Sequence, residues 1–245
     1  MEDLEKTRKI IKTTFFVAVV VITVFLVFPH DMQPHEWEIY ASSYFVTTLG
    51  LTVIGAAIGI LFGMLLAFFK FQKTGNEVFN MIKDAVIDEY VDIMRGTPMM
   101  LQLLTLSFVI VVFNNYWVAA IALGLNSAAY VEETIRSGIE SIDRGQMEAA
   151  RATGMPYRMA MNEIIMPQAV KNILPALVNE FINLFKETAV VGYISVVDIT
   201  MNSKSLQAVY YSVKPILFTG LVYYISVKLF SFIGKRLEMK LKEND

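Results

Sequence analysis

The side chains of this 245-residue sequence best placed to do chemistry are carboxylates, amides and a lysine set inside apolar runs. Asn179, Glu180, Asn183, Lys186 and Glu187 fall at relative positions zero, one, four, seven and eight, which is one face of a helix. Charged groups facing hydrocarbon are costly, so that face should look onto a bundle interior or a wet cavity. It could hold both charged ends of a zwitterion. Equally, it could bond helices together, Asn183 with Glu187 and Glu180 with nearby donors. Thr97, Gln102, Asn126, Ser127 and Tyr130 add polar groups in other apolar stretches. These groups suit binding a solute or bracing helices, not breaking bonds. The absence of cysteine excludes disulfides, thiol catalysis and cysteine metal sites. His30 and His35, with Asp31 and Glu36, lack a third convincing ligand and read as a solvated external loop. No Gly-x-x-x-x-Gly-Lys-Ser/Thr phosphate loop and no catalytic triad occurs, so the chain reads as a non-enzyme with no cofactor of its own.

Composition says where those groups must sit. The chain is 55% hydrophobic and 18% charged, where a soluble domain would carry nearer a quarter charged residues. Six apolar segments stand out, at 10–28, 43–69, 94–113, 116–136, 168–191 and 212–233. Each is near the ~20 residues that cross a hydrocarbon core. A net charge of −2 gives no reason to invoke nucleic acid. The expected fold is therefore an all-α membrane bundle.

Flanking charges orient it. Lys6, Arg8, Lys9 and Lys12 precede the first segment, and Lys70, Lys73 and Lys83 follow the second. Arg144, Arg151, Arg158 and Lys171 bracket the fourth and fifth; Lys235, Arg236, Lys240 and Lys242 close the chain. The stretch 29–44 and the Asn114-Asn115 turn carry no Lys or Arg. Positive residues favour the cytoplasmic side, so both termini should be inside, with only Lys204 and Lys214 on the outer side. The first segment reads as an uncleaved anchor, because Val27-Phe28-Pro29-His30 offers no small-residue cleavage site.

Several local features suggest packing and polarity. Gly55, Gly59 and Gly63 recur every fourth residue on the second segment, a stripe that lets another helix approach closely. Arg95 has helical spacing to Asp92, Asp88 and Glu89 for local ion pairs, on an amphipathic run from Phe79 to Met94 along the inner membrane surface that reads foremost as a solvated helix face. Gly96-Thr97-Pro98 reads as a helix break that could leave backbone groups free for a substrate. Glu132 is a candidate selector for a cationic substrate.

The stretch from Glu148 to Pro167 is charged and rich in Met and Ala, and it lies between two apolar segments. Ala149, Ala150 and Ala152 make a slim helical turn able to enter a groove in a partner. Gly154 can end that helix in a left-handed conformation, and Met155-Pro156 can start another. Met155, Met159 and Met161 offer adaptable apolar contact. The spacing is Glu148-Ala149-Ala150, three residues, Gly154, nine residues, Ile164, one residue, Met166-Pro167. It resembles the EAA loop of the membrane subunits of binding-protein-dependent ATP-binding-cassette importers. Arg95-Gly96-Thr97-Pro98, Gln102, Leu125 to Tyr130, Arg136 to Ile139, Gly145-Gln146, Pro167 to Ala169 and Asn179 to Thr188 are similar to the polar amino-acid subfamily of these permeases. The likeness runs from near Thr47 to about Leu241. Met166 stands where the family usually has Leu, Glu163 where many relatives carry a basic residue, and Glu132 where an uncharged residue is common.

That resemblance implies five core transmembrane helices plus one N-terminal helix: an anchor and external segment over 1–42, and a permease domain over 43–245 with a cytoplasmic coupling loop near 144–167. It implies ATPase-coupling roles for Glu148, Ala149, Ala150, Gly154, Met155, Ile164 and Pro167. Thr97, Gln102, Asn126, Tyr130, Asn179, Glu180, Asn183 and Glu187 become candidates for the substrate pathway. Expected partners are cytosolic ATPase subunits that bind ATP and Mg, an extracytoplasmic amino-acid-binding protein, and a second permease subunit, the same or a paralogue. The expected location is a bacterial-type cell membrane. The readings set against it are an ion-gradient-driven secondary transporter or channel, an exporter, and a non-transporting assembly subunit.

Overall fold

The computed structural model describes residues 2–242. Met1 and residues 243–245 lie outside it, as do the side chains of Glu2, Asp3, Glu5, Lys9, Leu241 and Lys242, so the flanking charges of Lys9 and Lys242 are not placed. Helices make up the fold, and no strand occurs among the described residues. α1 is Glu2–Val27, α2 Pro34–Ser42, α3 Leu49–Phe71, α4 Glu77–Gly96, α5 Met99–Val109 and α6 Asn115–Glu140. They are followed by α7 Arg144–Ala152, α8 Tyr157–Ala160, α9 Met166–Glu187, α10 Ile199–Tyr210 and α11 Lys214–Lys242.

By length and composition, 6–27, Pro34–Phe71 and Lys214–Lys240 can each cross a membrane. α6 and α9 are long enough, but their carboxylates and amides dilute their apolar character. The segment expected at 94–113 is corrected. Residues 94–96 finish α4, Thr97-Pro98 breaks the helix, and α5 is an 11-residue helix, ~16 Å long. Proline supplies no amide hydrogen and pushes its predecessor into extended backbone, and Thr97 accordingly sits at ψ 142°.

α6 is the axis of the bundle. It touches α3, α4, α5 and α9, and it buries nearly everything from Val118 to Glu132. The glycine stripe explains how α3 comes so near. A Cβ at Gly59 would lie 2.7 Å from the Ser127 Cβ, and one at Gly63 would lie 2.6 Å from the Val131 Cβ and 2.7 Å from the Ala128 carbonyl. From the other side, a Cβ at Gly124 would meet the Ile58 Cγ2 at 2.5 Å. Around this contact lies a core of Leu51, Leu103, Leu123, Leu184 and Val191.

α2 and α3 form one rod interrupted by a π-helical turn at Ser43–Thr48. That widened turn has a use. Thr48 Oγ1 accepts the Ile199 amide at 3.2 Å and Ser43 Oγ accepts the Asn202 amide at 2.9 Å, so α10 is braced against it. α10 in turn is capped by buried Asp198, whose carboxylate accepts the Thr200 and Met201 amides. α1 packs against α11, where Phe16 meets Tyr224 with ring centroids 5.9 Å apart.

The local ion pairs expected for Arg95 do not form; it reaches across to Glu133 on α6. Asp88 pairs with Lys70 from α3, and Lys73 hydrogen-bonds Asp84 at 2.5 Å, which holds the Asp84 carboxyl below the usual carboxylate range. The cause is the docking of α4. It buries Ile87 and Val91 against Leu66 and Ala129, which brings its acids beside lysines outside its own helix.

Gly63→Ala is expected to lower the thermal unfolding midpoint of the detergent-solubilised protein. The overpacking cost of about 1–3 kcal/mol outweighs the helix propensity gained by Ala. Gly220→Ala, with open space around its Cβ, should be neutral or slightly stabilising.

Candidate functional site

The exposed bracket between α6 and α9 is built by local rules. Asp143 starts α7 by accepting the Gly145 amide at 2.6 Å. The helix ends in a Schellman arrangement: the Met155 amide donates to the Ala150 carbonyl at 3.2 Å and the Gly154 amide to the Arg151 carbonyl at 3.0 Å. Gly154 adopts φ +90°, a region costly for any residue with a Cβ. Pro156 then caps α8, fixing the entry angle of a helix that passes through a π-helical turn, Met161–Ile165, into α9. The result is the expected helix-turn-helix.

Within it, Glu148, Ala149 and Gly154 are exposed, while Met155 and Ile164 are half-buried and Pro167 is exposed. Ala150 departs from the expectation. It is 5% exposed, buried with Ala160 and Ile165 where α7 meets α8 and the π turn. A partner could therefore touch Glu148 and Ala149, whereas Ala150 sets the spacing of the bracket itself. Met159 is exposed and Met161 half-buried.

The polar groups of the spans separate into distinct clusters. Gln102 donates through Nε2 to the Met94 carbonyl (2.7 Å), the Thr97 carbonyl (3.0 Å) and Thr97 Oγ1 (2.8 Å). Asn126 donates to Gln102 Oε1 at 2.9 Å and to the same Met94 carbonyl at 3.1 Å. The backbone expected to be free at the Gly96-Thr97-Pro98 break is thus already bonded, and the three side chains join α4, α5 and α6. Long-range partners decided this, and no helix spacing reveals them.

The α9 face also divides. Glu180 turns inward, 9% exposed, and accepts the Ser127 hydroxyl of α6 at 3.1 Å. Asn179, Asn183 and Lys186 are exposed along the other side. The expected Asn183–Glu187 hydrogen bond is not made. Tyr130 lies under the Arg95 guanidinium, 5.4 Å from its ring centre, and within electrostatic reach of Glu187 and Glu180. Glu132 is fully buried, with Lys70 at 3.9 Å and Arg136 at 3.8 Å. A carboxylate already set between two cations has little charge left for a cationic substrate, which argues against it as a selector.

Sequence reasoning missed Lys228, the lone cation in the interior of the last apolar segment. It opens into a cavity of about 730 Å³ between α1, α9 and α11 that also exposes Asn179. An isolated lysine within an apolar run was the signal available.

These features define a multi-pass helical membrane subunit with an exposed helix-turn-helix and polar groups inside its bundle. Residues 59–243 match the family described as "Binding-protein-dependent transport system inner membrane component", and the chain belongs to that family. It is 41% identical over 204 residues to the "Arginine transport system permease protein ArtQ" of Bacillus subtilis (strain 168), covering 81% of this chain and 90% of that one. It is 38% identical over 205 residues to the "Putative glutamine transport system permease protein GlnP" of Rickettsia typhi, covering 81% and 91%. Among solved structures, the chain in "Crystal structure of an amino acid ABC transporter with histidines" aligns with TM-score 0.74 at 35% identity, over 82% of this chain and 93% of that one. An inward-facing MetNI methionine ABC transporter aligns with TM-score 0.70 at 18% identity, a likeness of fold alone. The family resemblance drawn from the Glu148–Pro167 spacing and the subfamily motifs is borne out.

Gly154→Ala is expected to destabilise the bracket locally by about 1–2 kcal/mol, because only the backbone conformation resists the added Cβ. Hydrogen exchange should quicken in α7 amides and stay unchanged in α6. Gly154→Asn, which tolerates left-handed backbone better, should show a smaller change.

Proposed function

We propose that this chain is the permease subunit of an ATP-driven importer that carries a polar amino acid into the cytoplasm by alternating access. The observation that carries the reading is the bracket: a rigid, Schellman-closed turn exposing Glu148, Ala149 and Gly154, joined directly to the bundle through α6 and α9. Its spacing is that of a loop which docks on an ATPase in the family. Amino-acid cargo is supported by the names of the relatives from Bacillus and Rickettsia.

In this reading residues 1–42 are an added anchor and external segment, and 43–245 form the permease domain with both termini cytoplasmic. The chain makes no bonds itself. Cytosolic ATPase subunits bind ATP and Mg, and their closure pushes on the bracket around 144–167. Because α7 and α8 bear on the π turn that leads into α9, a push there tilts α9 and, through Ser127–Glu180, α6. The pathway between this subunit and a second permease subunit, identical or a paralogue, then opens outward. A docked extracytoplasmic binding protein releases its amino acid into it, and hydrolysis restores the inward-facing state. Asn179 and Asn183, exposed on α9, suit contact with the passing solute.

The test is uptake of labelled amino acids into proteoliposomes holding the permease, its ATPase and its binding protein. ATP-dependent accumulation is expected, with a loss of about tenfold or more for Glu148→Arg in protein that remains folded. Accumulation that follows an ion gradient and ignores ATP would replace this reading with a secondary transporter.

A further inference from the structure

Lys228 is an ionisable side chain deep in a spanning helix. It lies about 21 Å along α11 from Lys214 and about 10 Å from Lys235, so it is well inside a hydrocarbon core ~30 Å thick. Its ammonium rests over the rings of Tyr224 (5.5 Å) and Phe16 (5.9 Å), and among the described residues no carboxylate pairs with it. An unpaired charge at that depth is costly, and it persists where a wet cavity solvates it and function retains it.

The cavity is present, and it is polar at its deeper end as well as at the end of α11. The cavity of about 730 Å³ exposes Asn179, Lys228 and Ser231 at its deeper end and Lys235 and Glu238 toward the end of α11. An adjoining space of about 270 Å³ shares Pro175, Val178, Gly234 and Glu238 and continues past Leu174 and Leu237 to Lys240 at the end of α11. A lipid headgroup would meet Lys235, Glu238 and Lys240 at the interface, but its acyl chains would then lie against the polar Asn179, Lys228 and Ser231. A small polar solute fits both the volume and the polar inner end.

We propose that Lys228 and Asn179 form an anion subsite for the carboxylate of the transported amino acid. The uncompensated ammonium makes this pathway favour net-neutral and acidic amino acids over cationic ones. The Asn179 amide can donate to the second carboxylate oxygen while its carbonyl accepts from the substrate ammonium. A cationic side chain would bring another positive charge into the same cavity, where low dielectric strengthens repulsion. The inference rests on the permease reading above, and it sets this chain apart from the relative that bears the name of an arginine permease.

The experiment measures equilibrium binding of labelled glutamine, glutamate and arginine to the permease–ATPase complex in nanodiscs without binding protein. Glutamine and glutamate should bind about tenfold tighter than arginine. Lys228→Met should weaken glutamine binding by a similar factor and narrow the gap to arginine, while Lys228→Arg retains native preference. Unfolding midpoints and retained ATPase establish that the variants are assembled. The proposal is overturned if Lys228→Met binds as the native complex does, if arginine binds as tightly as glutamine, or if none of the three binds. It is equally overturned if the effect of Lys228→Met vanishes in nanodiscs free of acidic phospholipid, because the occupant would then be a lipid. ATP-driven uptake by the native complex separates the two readings. If uptake fails, the permease assignment falls; if it persists while Lys228 proves indifferent, only the subsite falls.

Discussion

The close approach of α3 to α6 is the constraint on which the rest of the bundle depends. Gly55, Gly59, Gly63 and Gly124 remove the side chains that would hold the two backbones apart. Association between helices in lipid has little hydrophobic drive, so van der Waals contact at such a seam does most of the work. With that seam made, α6 is enclosed on its remaining sides by α4, α5 and α9. Its polar side chains then face the bundle interior, where most find partners, although the Glu132 oxygens and Asn126 Oδ1 accept no hydrogen bond among the described residues. Asn126 finds Gln102 and the end of α4; Ser127 finds Glu180; Glu132 sits between Lys70 and Arg136.

The Ser127–Glu180 hydrogen bond ties α6 to α9. Chain continuity connects both helices to the bracket, because α6 leads into α7 and α8 continues through a π turn into α9. In the proposed coupling role, a turn closed by two backbone hydrogen bonds and a glycine at φ +90° would transmit a push with little local yielding. The exposed surface that a partner can grip is therefore small and is fixed relative to the helices it would move. Ala150 and Ala160 matter here as spacers, since larger side chains at those buried positions would force α7 and α8 apart.

Features governed by neighbours in sequence were legible before the structure. The left-handed Gly154, the restart at Pro156, the glycine stripe and the helix break at Thr97-Pro98 all follow from backbone rules that act over a few residues. Features governed by distant partners were not. Helical spacing offered Arg95 three acids on its own helix, yet α4 docks so that Glu133 is nearer. The same spacing put Glu180 with Asn179 and Asn183, although one helix face spans enough arc for Glu180 to point at Ser127 while the amides point away. Hydropathy over 94–113 registered an apolar run and could not tell one span from a broken pair of helices. Lys228 belongs to no motif, and its meaning comes from standing alone within an apolar run.

The account turns on the bracket around Glu148–Gly154 being the place where force enters. The most direct measurement is co-purification of ATPase subunits from solubilised membranes with the native chain and with Gly154→Asp, alongside Gly75→Asp as a control at an exposed glycine with open space around it. The account predicts that the native chain and the control retain the ATPase while Gly154→Asp loses it, with the bundle still folded by circular dichroism. Equal retention by Gly154→Asp, or no ATPase with the folded native chain, would contradict it.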